Sequence, residues 1–192
     1  KKGHEIIIVD DGSNDGSSKV ISKNKYINII RLDHNKGKGI ALKKGLEIAR
    51  NNKIIIFDGD LEIHPNQIQN LMFLSSGENI RCILANRFKD KQTSSFWDLG
   101  NIILTGMFNY LYDSDVKDAL CCAKAFFKSD INIRFLKSEK FDIDVELLSM
   151  LIKMKSEVRN IDIKYQRRTS NQGKKLKLRD SFKILLRILS KN

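Results

Sequence analysis

The chain has 192 residues, 41% hydrophobic and 30% charged, which allows one domain with a proper core and excludes a disordered segment. Its net charge of +12 calls for an anionic partner: nucleic acid, a phosphorylated substrate or an acidic lipid surface. Cys82, Cys121 and Cys122 are odd in number and stand in no zinc-ligand spacing with His4, His34 and His64, so a reducing, cytoplasmic setting is expected rather than a disulfide framework or a zinc site.

Glu5-Ile-Ile-Ile-Val9 reads as a strand buried on both faces and runs into Asp10-Asp11-Gly12-Ser13. The Asn-Asp-Gly turn at 14–16 caps a predicted helix over Ser17 to Ser22, and Ile27 to Leu32 is a second strand. After the loop Asn35-Lys-Gly-Lys-Gly39, the spacing of Leu42, Leu46 and Ala49 predicts a helix over 40–50. A strand over 53–57 follows, then a helix from Pro65 to about Ser75. Arg81 to Asn86 is a strand, 87–97 a polar loop, Trp97 to Tyr112 an apolar-faced helix and Asp118 to Phe127 a strand. Phe141 to Lys155 is a helix, Val158 to Tyr165 a strand, and basic Arg167 to Arg179 leads into an amphipathic helix over Asp180 to Leu189. No apolar run is long enough to cross a membrane, and no signal peptide is seen. Strand–helix alternation of this kind predicts an α/β fold with a largely parallel sheet, whose ligands bind beyond the carboxyl ends of the strands. Both acidic clusters fall at such ends.

The second cluster, Asp58, Asp60 and Glu62, carries the most chemistry. In extended backbone residues i, i+2 and i+4 point one way, so the three carboxylates would converge. Unpaired, they would repel, and Mg²⁺ or Mn²⁺ is the hard cation such oxygens suit. The plain alternative is a solvated acidic turn. A calcium-binding helix–loop–helix is excluded, because the sixth loop position is Ile63 and the twelfth Gln69. Gly37-Lys38-Gly39 lacks the third glycine of a dinucleotide fingerprint, and no GxxxxGK[ST] is present. It does offer backbone able to approach a phosphate at a helix N-terminus, or else a plain loop.

Taken in order, Val9-Asp-Asp-Gly-Ser13, Asn35-Lys-Gly-Lys-Gly39, Asp58-Gly-Asp60 and Asn86-Arg87 resemble the motifs of inverting family-two glycosyltransferases of the GT-A fold. Asp118-Ala-Leu-Cys-Cys122, Phe141-Asp-Ile-Asp-Val-Glu146, Tyr165-Gln-Arg-Arg168 and Gly173-Lys-Lys175 are similar to the branch of dolichyl-phosphate mannose and glucose synthases. The resemblance covers nearly the whole chain and implies one glycosyltransferase domain, with a mainly parallel central sheet and helices on both faces. It implies that Asp10, Asp11, Gly37, Lys38 and Asp58 bind a nucleotide-diphosphate sugar. Asp58, Asp60 and Glu62 are then the metal ligands for Mg²⁺ or Mn²⁺, and Arg87, Arg168 and Lys175 lie near an acceptor phosphate.

A phosphate acceptor such as polyprenyl phosphate needs no general base, so Asp60 and Arg87 carry the chemistry. If the acceptor is a glycan hydroxyl, a carboxylate base is required; Asp118 is the first candidate, with Asp144 and Glu146 behind it. The last helix places Phe182, Leu185, Leu186 and Leu189 on one stripe with Lys183, Arg187 and Lys191 nearby. Such a helix packs on its own domain or lies on the cytoplasmic face of a membrane. A nucleic-acid partner is not expected, since no recognition motif appears and the aromatics do not interleave with a basic stripe.

The family normally starts with a further strand and a Pro-x-Tyr-Asn-Glu-type segment ahead of the DDGS strand. These are missing here, so the expectation is an N-terminally truncated domain with an exposed sheet edge open to self-association. A catalytically incomplete remnant is the corresponding alternative.

Overall fold

A computed structural model of the chain describes residues 3–17, 27–88, 96–154, 157–168 and 178–190. Strand β1, Ile6–Asp10, pairs in parallel with β2, Ile27–Arg31. Helix α1, Lys38–Ile48, lies over β1, where Gly45 sits close to the side chains of Ile7 and Val9. A second sheet contains β3, Lys53–Ile56; β4, Ile80–Asn86; β5, Lys124–Phe127; and β6, Glu157–Asp162, in the order β3-β5-β4-β6.

Strands β3, β4 and β6 share one direction, as the alternating pattern requires. The largely parallel expectation needs one correction: β5 is inserted between β3 and β4 and pairs antiparallel with both. The cause is local. Asp118 is held against Arg87 at the carboxyl end of β4, so the chain enters β5 from that end and runs back. The strand expected over 118–127 is shorter than predicted, Lys124–Phe127, with the Ala123 carbonyl accepting the Ala85 N–H of β4 at 3.0 Å just ahead of it.

The helix expected after Pro65 is a 3₁₀ segment, Pro65–Leu71, capped by His64. Leu71, its last residue, is buried, and Leu74 is buried just beyond it. Helices α2, Phe96–Tyr112; α3, Ile143–Lys153; and α4, Leu178–Leu189, pack against one another. The core runs through Ile83, Leu84, Phe126, Leu147, Leu148 and Ile188. Among the described residues no helix is long and apolar enough to cross a membrane. The predicted helix over Ser17 to Ser22 and the basic stretch 169–177 lie, apart from Ser17, outside the described residues.

The run Glu5 to Val9 was expected to be buried on both faces, yet Ile6 is half exposed and Ile7 and Ile8 are only partly covered. Among the described residues β1 has β2 as its one strand partner and β3 has β5, so each keeps an edge without a neighbouring strand. One covered edge leaves an apolar strand partly wet.

Candidate functional site

The carboxyl ends of β1, β3, β4 and β6 bring the sequence-predicted groups together. Just beyond β1, Asp11 accepts the backbone N–H of Lys36 at 2.7 Å and of Gly37 at 3.0 Å. Asp10 is buried and accepts the Ser13 N–H at 2.8 Å. Gly37 has a φ of 103°, and a Cβ there would stand 2.4 Å from the Glu139 carbonyl oxygen. The Gly39 N–H donates to that same carbonyl at 2.8 Å. These glycines therefore allow the 36–39 loop to press against backbone 138–139 and against Asp11. The Gly37 N–H expected to face a phosphate is already engaged by Asp11.

Beyond β3 the chain does not stay extended. It turns through 59–62, with Leu61 at a φ of 62°, so the alternation that would have aligned three carboxylates stops at Ile56. Among the described residues, no three His, Cys, Asp or Glu side chains are arranged to hold a metal ion. The three acids meet cations of the chain instead. Asp58 accepts the Lys38 ammonium at 3.0 Å. Asp60 takes the Arg168 guanidinium at 2.7 Å, and Arg168 also lies 3.5 Å from Glu62. Glu62 further accepts the Tyr165 hydroxyl at 2.9 Å and the Arg168 backbone N–H at 3.1 Å. Burial raises the Asp60 carboxyl above its ordinary range, and the neighbouring charges of Asp58 and Glu62 add to this against the opposing Glu62 N–H and Arg168. An all-oxygen donor set with surplus negative charge has the chemistry of a hard dication site.

Lys38 reaches further inward. Its ammonium lies 2.8 Å from Asp144, whose other oxygen accepts the fully buried Lys124 at 3.1 Å. Burial alone would lower the Lys38 ammonium, but Asp144 and Asp58 raise it well above the usual lysine range. Burial likewise would raise Asp144, yet Lys124 and Lys38 hold its carboxyl down at about 2. Lys124 carried no role in the sequence reading. The available signal was a lysine inside the otherwise apolar run Ala123 to Phe127.

Arg87 is engaged by Asp118 in a two-point contact at 2.7 and 2.9 Å, with Asp118 fully buried. The Arg87 guanidinium also sits 5.4 Å from the Tyr165 ring centre, and that tyrosine links it to Glu62. Burial, foremost, pushes the Tyr165 phenol up to about 12. Glu146 accepts the backbone N–H groups of Lys137 and Ser138, and Arg187 lies 3.4 Å away. Lys175 lies outside the described residues. A hollow of about 550 Å³ lined by Lys128–Arg134 and Met154 is at the opposite end of the sheet, where Lys128 meets Asn52 ahead of β3.

The family model for glycosyl transferase family 2 matches residues 1–136. The dolichyl-phosphate beta-glucosyltransferase of Dictyostelium discoideum is 26% identical over 92% of this chain and 58% of its own length. Its Homo sapiens counterpart is 29% identical over 90% of this chain and 58% of its length. An undecaprenyl-phosphate 4-deoxy-4-formamido-L-arabinose transferase of Pectobacterium atrosepticum is 30% identical over 65% of this chain and 39% of its length. The chain thus spans less than two thirds of these relatives. Among solved structures, glucosyl-3-phosphoglycerate synthase from Mycobacterium tuberculosis in complex with Mn²⁺, UDP and phosphoglyceric acid superposes with a TM-score of 0.68. That match covers 97% of this chain and 67% of the other at 16% identity, and so speaks for a shared GT-A fold. The chain belongs to glycosyl transferase family 2.

Proposed function

We propose that this chain moves a sugar from a nucleotide-diphosphate donor to a polyprenyl phosphate, with Mg²⁺ or Mn²⁺ held by Asp58, Asp60 and Glu62. The observation that carries the reading is the meeting of this acidic turn with Lys38 and Arg168, from opposite ends of the chain, at the carboxyl end of the sheet. When bound, such a metal neutralises the departing diphosphate as a Lewis acid. Asp10 and Asp11 stand at the donor end of the site, where Asp11 also fixes the loop that aims Lys38. Arg87, Arg168 and Lys175 supply positive charge for the acceptor phosphate, and guanidinium suits that anion.

The state of the carboxylates favours a phosphate acceptor over a glycan hydroxyl. Asp118 is tied to Arg87, Asp144 to two lysines and Glu146 to backbone N–H groups, so each candidate base is already committed. A phosphate monoester is anionic at neutral pH and asks for none of them. Asp118 accordingly positions Arg87. A lipid acceptor also accounts for the stripe on α4. The side of α4 that packs inward carries Ile184 and Ile188, while Phe182, Leu186 and Leu189 face solvent. Peripheral contact with a membrane's cytoplasmic face fits that stripe, and self-association through a sheet edge would use β1 or β3.

The test incubates the chain with Mn²⁺, a panel of nucleotide sugars and polyprenyl phosphate, alongside Asp60→Ala. Metal-dependent transfer that falls by about a hundredfold or more in the variant is expected. Transfer that survives a chelator, or an active Asp60→Ala chain, would overturn the reading.

A further inference from the structure

Residues 165–168 are fastened along the acidic turn by backbone as well as side chains. Tyr165 forms a β-bridge with Ile63, the Gln166 N–H donates to the Glu62 carbonyl at 2.8 Å, and the Tyr165 hydroxyl reaches Glu62. This places the Arg168 guanidinium across Asp60 and Glu62, 106 residues away in sequence from the latter. The fit is incomplete. The Arg168 Nε–H is buried and finds no hydrogen-bond partner among the described residues, lying 3.5 Å from a Glu62 oxygen without bonding it, which counts against holding this position.

Charge tells the same story. Asp58, Asp60, Glu62 and Asp144 form four carboxylates, against which Lys38, Lys124 and Arg168 set three cations. The cluster keeps one surplus negative charge. Exchanging the single charge of Arg168 for a dication would bring it to balance. The two compete for the Asp60 oxygen that meets the guanidinium, because a metal ligated there at about 2 Å would stand within contact distance of Arg168.

Building on the metal reading above, we propose that Arg168 is a tethered counter-cation of the acidic turn. It occupies Asp60 and Glu62 until a divalent cation takes its place, and only then turns to an anionic substrate. Metal loading and acceptor-phosphate binding are thereby coupled, each favouring the other. The order of events follows: metal arrives first, and the phosphate-bearing acceptor meets a freed guanidinium.

The experiment measures Mn²⁺ affinity by the electron-spin signal of the free ion, with no nucleotide present, for the unaltered chain, Asp60→Asn, Arg168→Gln and Arg168→Lys. Circular dichroism verifies that each variant is folded. Asp60→Asn is expected to weaken Mn²⁺ binding and Arg168→Gln to tighten it by about fivefold or more. Arg168→Lys falls between them, since an ammonium keeps the charge but loses the two-carboxylate span. If Asp60→Asn weakens binding while Arg168→Gln matches or falls below the unaltered chain, the counter-cation role is overturned and the metal reading stands. If Asp60→Asn binds Mn²⁺ as the unaltered chain does, both fall. A second measurement needs no Arg168 variant: Mn²⁺ should speed tryptic cleavage after Arg168 several-fold in the unaltered chain but not in Asp60→Asn. An equal rate with and without Mn²⁺ overturns the displacement.

Discussion

Asp144 is the residue on which the buried charges depend, because it faces Lys124 on one oxygen and Lys38 on the other. Its carboxyl lies at about 2 in the folded chain against an ordinary 3.8, so the unfolded chain takes up the proton first as pH falls. The stabilisation is present in full above about pH 4 and is lost on descending to about pH 2. Asp144→Asn is therefore expected to cost about 2 kcal/mol at neutral pH, as measured by urea unfolding. The gap between variant and parent should close across that acidic window. A gap that persists unchanged at pH 2 would mean the charge pairs are not its source. Asp118 has a comparable place beside Arg87. Both aspartates were candidates for a general base, and in each case a mostly buried ion pair engages the carboxylate.

At the scale of elements, α1 is held by glycines of two different kinds. A Cβ on Gly39 would come within 2.3 Å of the Ser138 carbonyl oxygen, closer than any packed atom tolerates, so backbone would have to shift. A Cβ on Gly45 would meet Val9 at an ordinary 3.4 Å, in a helix that gains from alanine. Thermal or denaturant unfolding should show Gly39→Ala destabilised by about 1–3 kcal/mol and Gly45→Ala neutral or up to about 1 kcal/mol more stable. Equal responses would mean that the 138–139 backbone does not constrain the loop. On α4 the predicted stripe exists, but the structure turns Phe182, Leu186 and Leu189 outward and fills the core with Ile184 and Ile188. The heptad-like spacing showed an apolar face in α4 without showing that a second apolar face would win the interior.

For the whole molecule, α2, the helix that α4 packs against, also exposes apolar side chains, Leu99, Ile102, Ile103 and Tyr110. Together with a net charge of +12, this favours vesicles that contain anionic lipid. Co-sedimentation is expected with such vesicles, weakening with salt, and Phe182→Asp with Leu186→Asp should reduce it by about tenfold or more. Undiminished binding by that double variant would remove α4 from the contact. The two sheets, each with an edge free of strand partners among the described residues, also belong to this scale, because neither strand alone reveals how many neighbours it will have.

The sequence by itself determined the α/β alternation, the placing of both acidic clusters at strand ends and the resemblance to the family that the comparisons bear out. Those features are written in short spans, through hydrophobic period and through carboxylates that follow an apolar run. Only the tertiary structure decided which cation meets which acid, the reversed direction of β5 and the outward face of α4. Arg168 and Asp60 are 108 residues apart, and Asp118 meets Arg87 across 31. No local period encodes such contacts; they arise when chain topology brings the strand ends together, and burial then forces each charge to find a partner.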